Sequence, residues 1–156
     1  KVLTKTMINN YAKNHLLPAP VKKKYSKEHI LMLTFIYYFK NLLSINDIQT
    51  LLDPIAERFF SGEGSISLTD IYREIIHLEL EQIEPLKKDI TKKFSQACDA
   101  FSQAEETEKE FLRQFAFICM LSFDVYVKKQ VIENLIDQMP KPENPKDSKK
   151  DGKKKS

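Results

Sequence analysis

Apolar residues recur at three- and four-residue intervals along most of this chain, and proline is nearly the only thing that interrupts them. Leu68, Ile71, Ile75 and Leu78 form one series; Leu86, Ile90, Phe94, Ala97 and Phe101 form the next, with Cys98 on the same face. That spacing places each series along one side of an α-helix, and strand-like alternation is hard to find. Glycine is scarce, with 3 in 156 residues, and tryptophan is absent. The expected fold class is therefore all-α, with one small hairpin as the exception. A chain of this length has room for one domain, or for a small module and a helical partner, and either can bury a core.

In chain order, Leu3 to Leu17 reads as a helix with Thr4 at its N-cap. Met7, Ile8, Tyr11 and His15 recur along one side, and Lys5, Asn9, Lys13 and Asn14 fall away from it. Pro18 and Pro20 forbid continuation, and Val21 to Tyr25 is expected to form a two-stranded wing with Lys22, Lys23 and Lys24 at its tip. Ser26 is suited to cap the next helix. Ile30 to Phe39 is apolar at nearly every position apart from Thr34, which predicts burial on most sides. Ser44 and Asp47 have capping-box spacing ahead of Ile45, Ile48, Leu51 and Leu52, in a helix that Pro54 should terminate or redirect.

The polar run Ser61 to Ser65, with two glycines inside it, marks a hinge. The expected organisation is a module over 1–60, a helical domain over 61–139 and a disordered basic tail over 140–156. In the second part Ser67 and Asp70 repeat the capping-box spacing, and Pro85 must break a helix, kink it or sit in the first turn of a new one. Glu105 to Glu108 suit a turn or a helix N-terminus. Phe111 to Met139 is apolar almost all round, as expected of a bundle's central helix or a subunit interface. Pro140, Pro142 and Pro145 punctuate a lysine-rich end that cannot bury enough apolar surface to fold.

Charge is distributed unevenly behind a net value of +3. Up to His29 the only acid is Glu28, against seven lysines, whereas Glu105, Glu106, Glu108 and Glu110 crowd together later on. A polyanion is drawn to the first region and repelled by the second. The most apolar stretch, Phe115 to Val127, is too short for a bilayer and contains Asp124, so the protein should be soluble, and with no signal peptide and no disulfide framework the expected compartment is the cytoplasm. Cys98 and Cys119 have neither disulfide-framework nor ligand spacing, so both are expected as reduced core thiols, with no metal and no cofactor. His15, His29 and His77 likewise lack ligand spacing. Phosphate-binding loops, nucleophile elbows and spaced catalytic carboxylates are missing from the sequence, which argues against an enzyme. Lysine at position 1 implies a start partway through a longer polypeptide.

A helix carrying amide and hydroxyl side chains, stopped by proline and followed by a basic loop, is what duplex DNA asks of a protein: groups that reach base edges, and cations that hold phosphates. The candidate DNA-binding residues are Thr4, Lys5, Thr6, Asn9, Asn10, Tyr11 and Lys13 on the helix, then Lys22, Lys23, Lys24 and Tyr25. On their own, three lysines describe a solvated loop, and the two asparagines an exposed helix face.

The runs MINNYAKNHLLPAP, KKKYSKEHILMLTFI and LLSINDIQTLL together resemble the DNA-binding region of MerR-type transcription regulators. A nearer likeness is to bacterial proteins of unknown function with a MerR-like N-terminal part and a helical C-terminal part. The resemblance implies a recognition helix over Thr6 to Tyr11, a stop at Leu16, Leu17 and Pro18, and a wing over Lys22 to Tyr25. Two further helices would follow, through Ile30, Leu33 and Ile36 and from Ser44 to Leu52. It also implies transcription regulation by a homodimer on double-stranded DNA, and it leaves room for a small-molecule effector. This chain departs from the family pattern in three ways: the helix upstream of the recognition helix is missing, the wing is short and lacks glycine and arginine, and no long dimerising coiled coil follows. The rival expectation is a helical protein-interaction module in which Ile30 to Phe39 or the acidic bundle docks a partner.

Overall fold

The structure, a computed structural model, describes residues 3–140 except 23 and 63. Among the described residues there are six helices: α1 Lys5–Lys13, α2 Lys27–Phe39, α3 Ile45–Phe59, α4 Leu68–Glu81, α5 Ile83–Asp99 and α6 Glu106–Asp137. Among the described residues there is no strand, and the class is all-α. The expected tail over 140–156 lies, beyond Pro140, outside the described residues.

Thr4 caps α1, its hydroxyl accepting the Met7 N–H at 3.3 Å. The helix stops at Lys13, short of Leu17. His15 turns left-handed with φ 61°, and the Leu16 N–H reaches back to the Tyr11 carbonyl at 2.9 Å while the His15 N–H reaches Ala12. These two bonds form a Schellman stop, in which histidine occupies the position that glycine usually takes. They turn Leu16 and Leu17 inward, and Leu17 is 1% exposed. Burying each leucine contributes roughly 1.5 to 3 kcal/mol, which anchors α1 from its C-terminal end.

The expected two-stranded wing is reduced to one antiparallel bridge, Val21 to Lys24, closed by the Lys24 N–H on the Val21 carbonyl at 2.9 Å. Pro20 has no N–H to extend a ladder, and Ser26 already caps α2, so pairing cannot spread beyond that bridge.

Along α2, Leu31, Met32, Leu33 and Ile36 are buried, yet Ile30, Tyr37 and Tyr38 stay exposed. The nearly uniform apolar run is therefore one-sided in use. Ser44 and Asp47 do close a capping box on α3, each side chain bonding the other residue's N–H at 3.2 Å. Pro54 does not end this helix, which runs on to Phe59. One missing N–H leaves the Thr50 carbonyl without its helical donor, while Ile48 and Leu52 remain buried in the preceding turns.

Pro85 sits in the first turn of α5. It offers no N–H to the Glu81 carbonyl, so the helical ladder is interrupted at Gln82. Phe101 leaves the apolar series of α5, standing outside the helix with φ 59°. Glu106 and Glu108 occupy the first turn of α6, where carboxylates favour the helix dipole, and α6 starts five residues before Phe111.

The chain divides into two compact units: Lys1–Thr69 with Glu133–Ser156, and Asp70–Ile132. The Ser61 to Ser65 segment falls inside the first, and the divisions lie within α4 and α6. Unit one holds nearly all buried side chains, with Met32, Ile36, Ile48 and Leu52 at its centre and Leu68 and Ile136 buried at the two crossings. In unit two Lys93 of α5 bonds Asp124 of α6 at 2.8 Å and also Asp89 of its own helix. Phe94 meets Phe117 edge to face at 5.4 Å. Those contacts make α5 and α6 a helical hairpin.

Candidate nucleic-acid interface

Helix α1 buries none of its own residues. Met7, Ile8, Tyr11 and Ala12 are half-covered along one side, and Lys5, Thr6, Asn9, Asn10 and Lys13 are exposed on the other. At 100° per residue the exposed set spans a little over a third of the helix circumference. Its chemistry is uniform: cations at both ends, amides and a hydroxyl between them, and no carboxylate. Thr4 is also exposed, but its hydroxyl is engaged at the N-cap. Tyr11 contributes packing first, since its side chain is half-covered, and its carbonyl accepts the Leu16 and Leu17 N–H groups.

The basic turn follows from the same stretch. Lys22 and Lys24 are exposed; Lys23 lies outside the described residues. Lys22 holds φ 49°, a left-handed conformation that glycine or asparagine adopts at lower cost.

Tyr25 ends the turn and ties it to the core. Its ring meets His29 edge to face at 5.3 Å, and His29 meets Phe60 in the same manner at 4.8 Å. His29 is 2% exposed. Its Nδ1 accepts the Ser26 N–H at 2.9 Å and lies 2.9 Å from the Ser26 hydroxyl, so the imidazole fills the capping-box role that glutamate or glutamine usually has. An accepting Nδ1 places the proton of the neutral ring on Nε2, which is buried without a hydrogen-bond partner. The absence of ligand spacing around His29 says nothing of this role. The signal was there in the Ser-x-x-His spacing, because any acceptor three residues after the cap can close the box. Beside it the Glu28 carboxyl is held below its ordinary range, chiefly by a hydrogen bond from Ser26.

Residues 1–75 match DUF1836, a domain of unknown function. The match covers slightly under half of the chain and contains α1, the basic turn, α2 and α3. No curated protein and no solved structure matches.

Elsewhere, a cavity of about 660 Å³ lies between α5 and α6, lined by Phe94, Phe117 and Arg113 among others. Phe111, Phe115 and Phe123 are outside its lining and largely exposed. Cys98 is half-buried at this cavity, and Cys119 is exposed rather than a core residue. No group of three His, Cys, Asp or Glu side chains is placed to hold a metal ion among the described residues. None of their helices is long and apolar enough to cross a membrane.

Proposed function

We propose that this protein binds double-stranded DNA as a sequence-specific, MerR-like transcription regulator, acting as a homodimer in the cytoplasm. The observation that carries the reading is the carboxylate-free face of α1, where Asn9 and Asn10 stand exposed between Lys5 and Lys13, close in sequence to the strained cationic turn at Lys22. In this reading α1 enters a major groove. Asn9 or Asn10 pairs with adenine edges, Thr6 supports them, and Lys22, Lys23 and Lys24 grip neighbouring phosphates. Tyr25 and His29 fix the turn to the core so that the phosphate contacts set the register of the helix.

Selection of bound sequences from a random duplex pool by the protein tests this directly. A defined site is expected, with Asn9→Ala or Asn10→Ala changing the preferred bases and Lys24→Glu weakening all sequences alike. Recovery of no enriched sequence would sink it.

A second reading, a protein-docking module without DNA binding, is favoured by the exposed apolar side of α2, where Ile30 and Tyr37 border a shallow hollow of about 250 Å³ with Leu3 and Leu33. Capture of a protein partner that survives nuclease treatment, from a chain that selects no duplex, would support it instead.

A further inference from the structure

The cavity between α5 and α6 has no part in the DNA-binding reading. It lies within the second unit and beyond the residues that match DUF1836. At about 660 Å³ it has the size of a small-molecule site. Phe94 and Ala97 of α5 face Phe117 and Ile118 of α6 along its apolar lining. Ala97 is buried, and so short a side chain leaves room between the two helices beside the Phe94–Phe117 contact.

Four charged side chains share the lining, Glu106, Lys109, Glu110 and Arg113, and they are not equally satisfied. Lys109 holds Glu106 at 2.5 Å, so that pair is closed on itself. Glu110 accepts a long bond of 3.5 Å from the Gln114 amide, a neutral donor that leaves the carboxylate charge uncompensated. Arg113 keeps its charge at any pH, and its Nε is buried with no hydrogen-bond partner. Among the described residues no ion pair joins Glu110 to Arg113, although they stand one turn apart on α6, about 5 to 6 Å between Cβ atoms. A guanidinium N–H out of water and without an acceptor is costly, and its planar fork fits a carboxylate.

The two unmet charges choose the occupant. An apolar acid would satisfy Arg113 but set a second anion against Glu110. An apolar amine would satisfy Glu110 and leave the buried donor without an acceptor. An α-amino acid carries both groups on one carbon, together with a side chain for the apolar lining.

We infer that the α5–α6 cavity binds a free α-amino acid with an apolar side chain. Its carboxylate meets the Arg113 guanidinium, its ammonium meets Glu110, and its side chain lies among Phe94, Phe117 and Ile118. Arg113 is the anchor because its Nε is the buried group; Glu110 is exposed and sets the preference for a zwitterion. The site holds whether or not the chain binds DNA.

Calorimetric titration of the full chain with L-phenylalanine, 3-phenylpropionate and phenethylamine tests it, the first probe carrying both charged groups and the others one each. L-Phenylalanine or the smaller L-leucine binds, and the singly charged probes bind about tenfold or more weakly than L-phenylalanine. Arg113→Gln lowers L-phenylalanine to the level of phenethylamine and leaves phenethylamine unchanged, while Glu110→Gln narrows the gap between L-phenylalanine and 3-phenylpropionate. Alkylation by iodoacetamide gives a footprint: the bound amino acid slows reaction at Cys98, which lines the cavity, and not at the exposed Cys119 outside it. Should Arg113→Gln fail to fold, the probe series and the footprint on the parent protein decide the matter. Absence of binding by both amino acids, phenethylamine bound as tightly as L-phenylalanine, a folded Arg113→Gln protein with parental affinity, or equal slowing at both cysteines would overturn the inference.

Discussion

His29 shows how a single side chain positions the candidate site. It closes the cap of α2 with Nδ1 and supports Tyr25 with its ring, so His29→Ala loses both a cap and buried packing. The expected cost is about 2 to 3 kcal/mol in chemical denaturation, with His29→Gln recovering part of it because glutamine can close a capping box. Equal stability of the Ala and Gln variants would remove the capping role. His15 makes the opposite case. Its left-handed backbone is strained, and His15→Gly should stabilise the fold by about 0.5 to 1 kcal/mol. Asp53 on α3 is held above its ordinary pKa, first by burial and then by Glu57, against a smaller lowering by His15. A raised folded value means a contribution present below the unfolded pKa and lost as pH rises through the folded one. Ionised Asp53 is thus unfavourable near neutrality, and Asp53→Asn should melt higher than the parent there, with the gain vanishing below the ordinary aspartate value of about 3.9. A gain that persists in acid would contradict the assignment.

Among the elements, the helices were legible in the sequence wherever a cap coincided with a change of pattern. Thr4, Ser26 and Ser44 all cap as expected, and the Ser44–Asp47 box is formed. Pro54 misled because a proline signals the loss of one hydrogen bond, and tertiary burial of Ile48 and Leu52 outweighs that loss. The end of α1 was hidden for a related reason: a Schellman stop is recognised by glycine, and here the left-handed residue is histidine. Periodicity marks the exposed asparagine face of α1, but it does not distinguish a helix wrapped by its neighbours from one with an open side, so the apolar run of α2 predicts burial on most sides where Ile30, Tyr37 and Tyr38 are exposed. Within the hairpin, Lys93 joins α5 to α6 through Asp124, and its ammonium is held above its ordinary pKa by Asp124 first and Asp89 second, while hydrogen bonding to Lys93 holds Asp89 below its own. Lys93→Met should therefore destabilise the hairpin at neutral pH. A depressed aspartate contributes stability present above the unfolded pKa and lost as pH falls through the folded value, so the parent's advantage should shrink in acid. Thermal melts of both proteins across that range check the sign; a deficit independent of pH would mean that packing, not charge, joins the helices.

For the whole molecule, the division into two units assigns separate work to each. Unit one supplies a well-buried core that holds α1 and the cationic turn at the surface, and the DUF1836 match falls over it. Unit two has almost no core of its own, Ala97 being its one buried residue. In the proposed reading a dimer presents two copies of α1 to a DNA site with two related halves, so a variant that stays monomeric should bind duplex more weakly without altering the bases preferred by each half. The most direct measurement is the salt dependence of duplex affinity for the dimeric protein, compared with a variant carrying Lys22→Glu and Lys24→Glu. The parent should lose affinity steeply with salt, and the variant should bind all sequences more weakly, with a log–log slope lower by about 2, roughly one for each phosphate contact removed. A parent with no salt slope, or a variant whose slope matches the parent's, would show that this surface does not meet the DNA backbone.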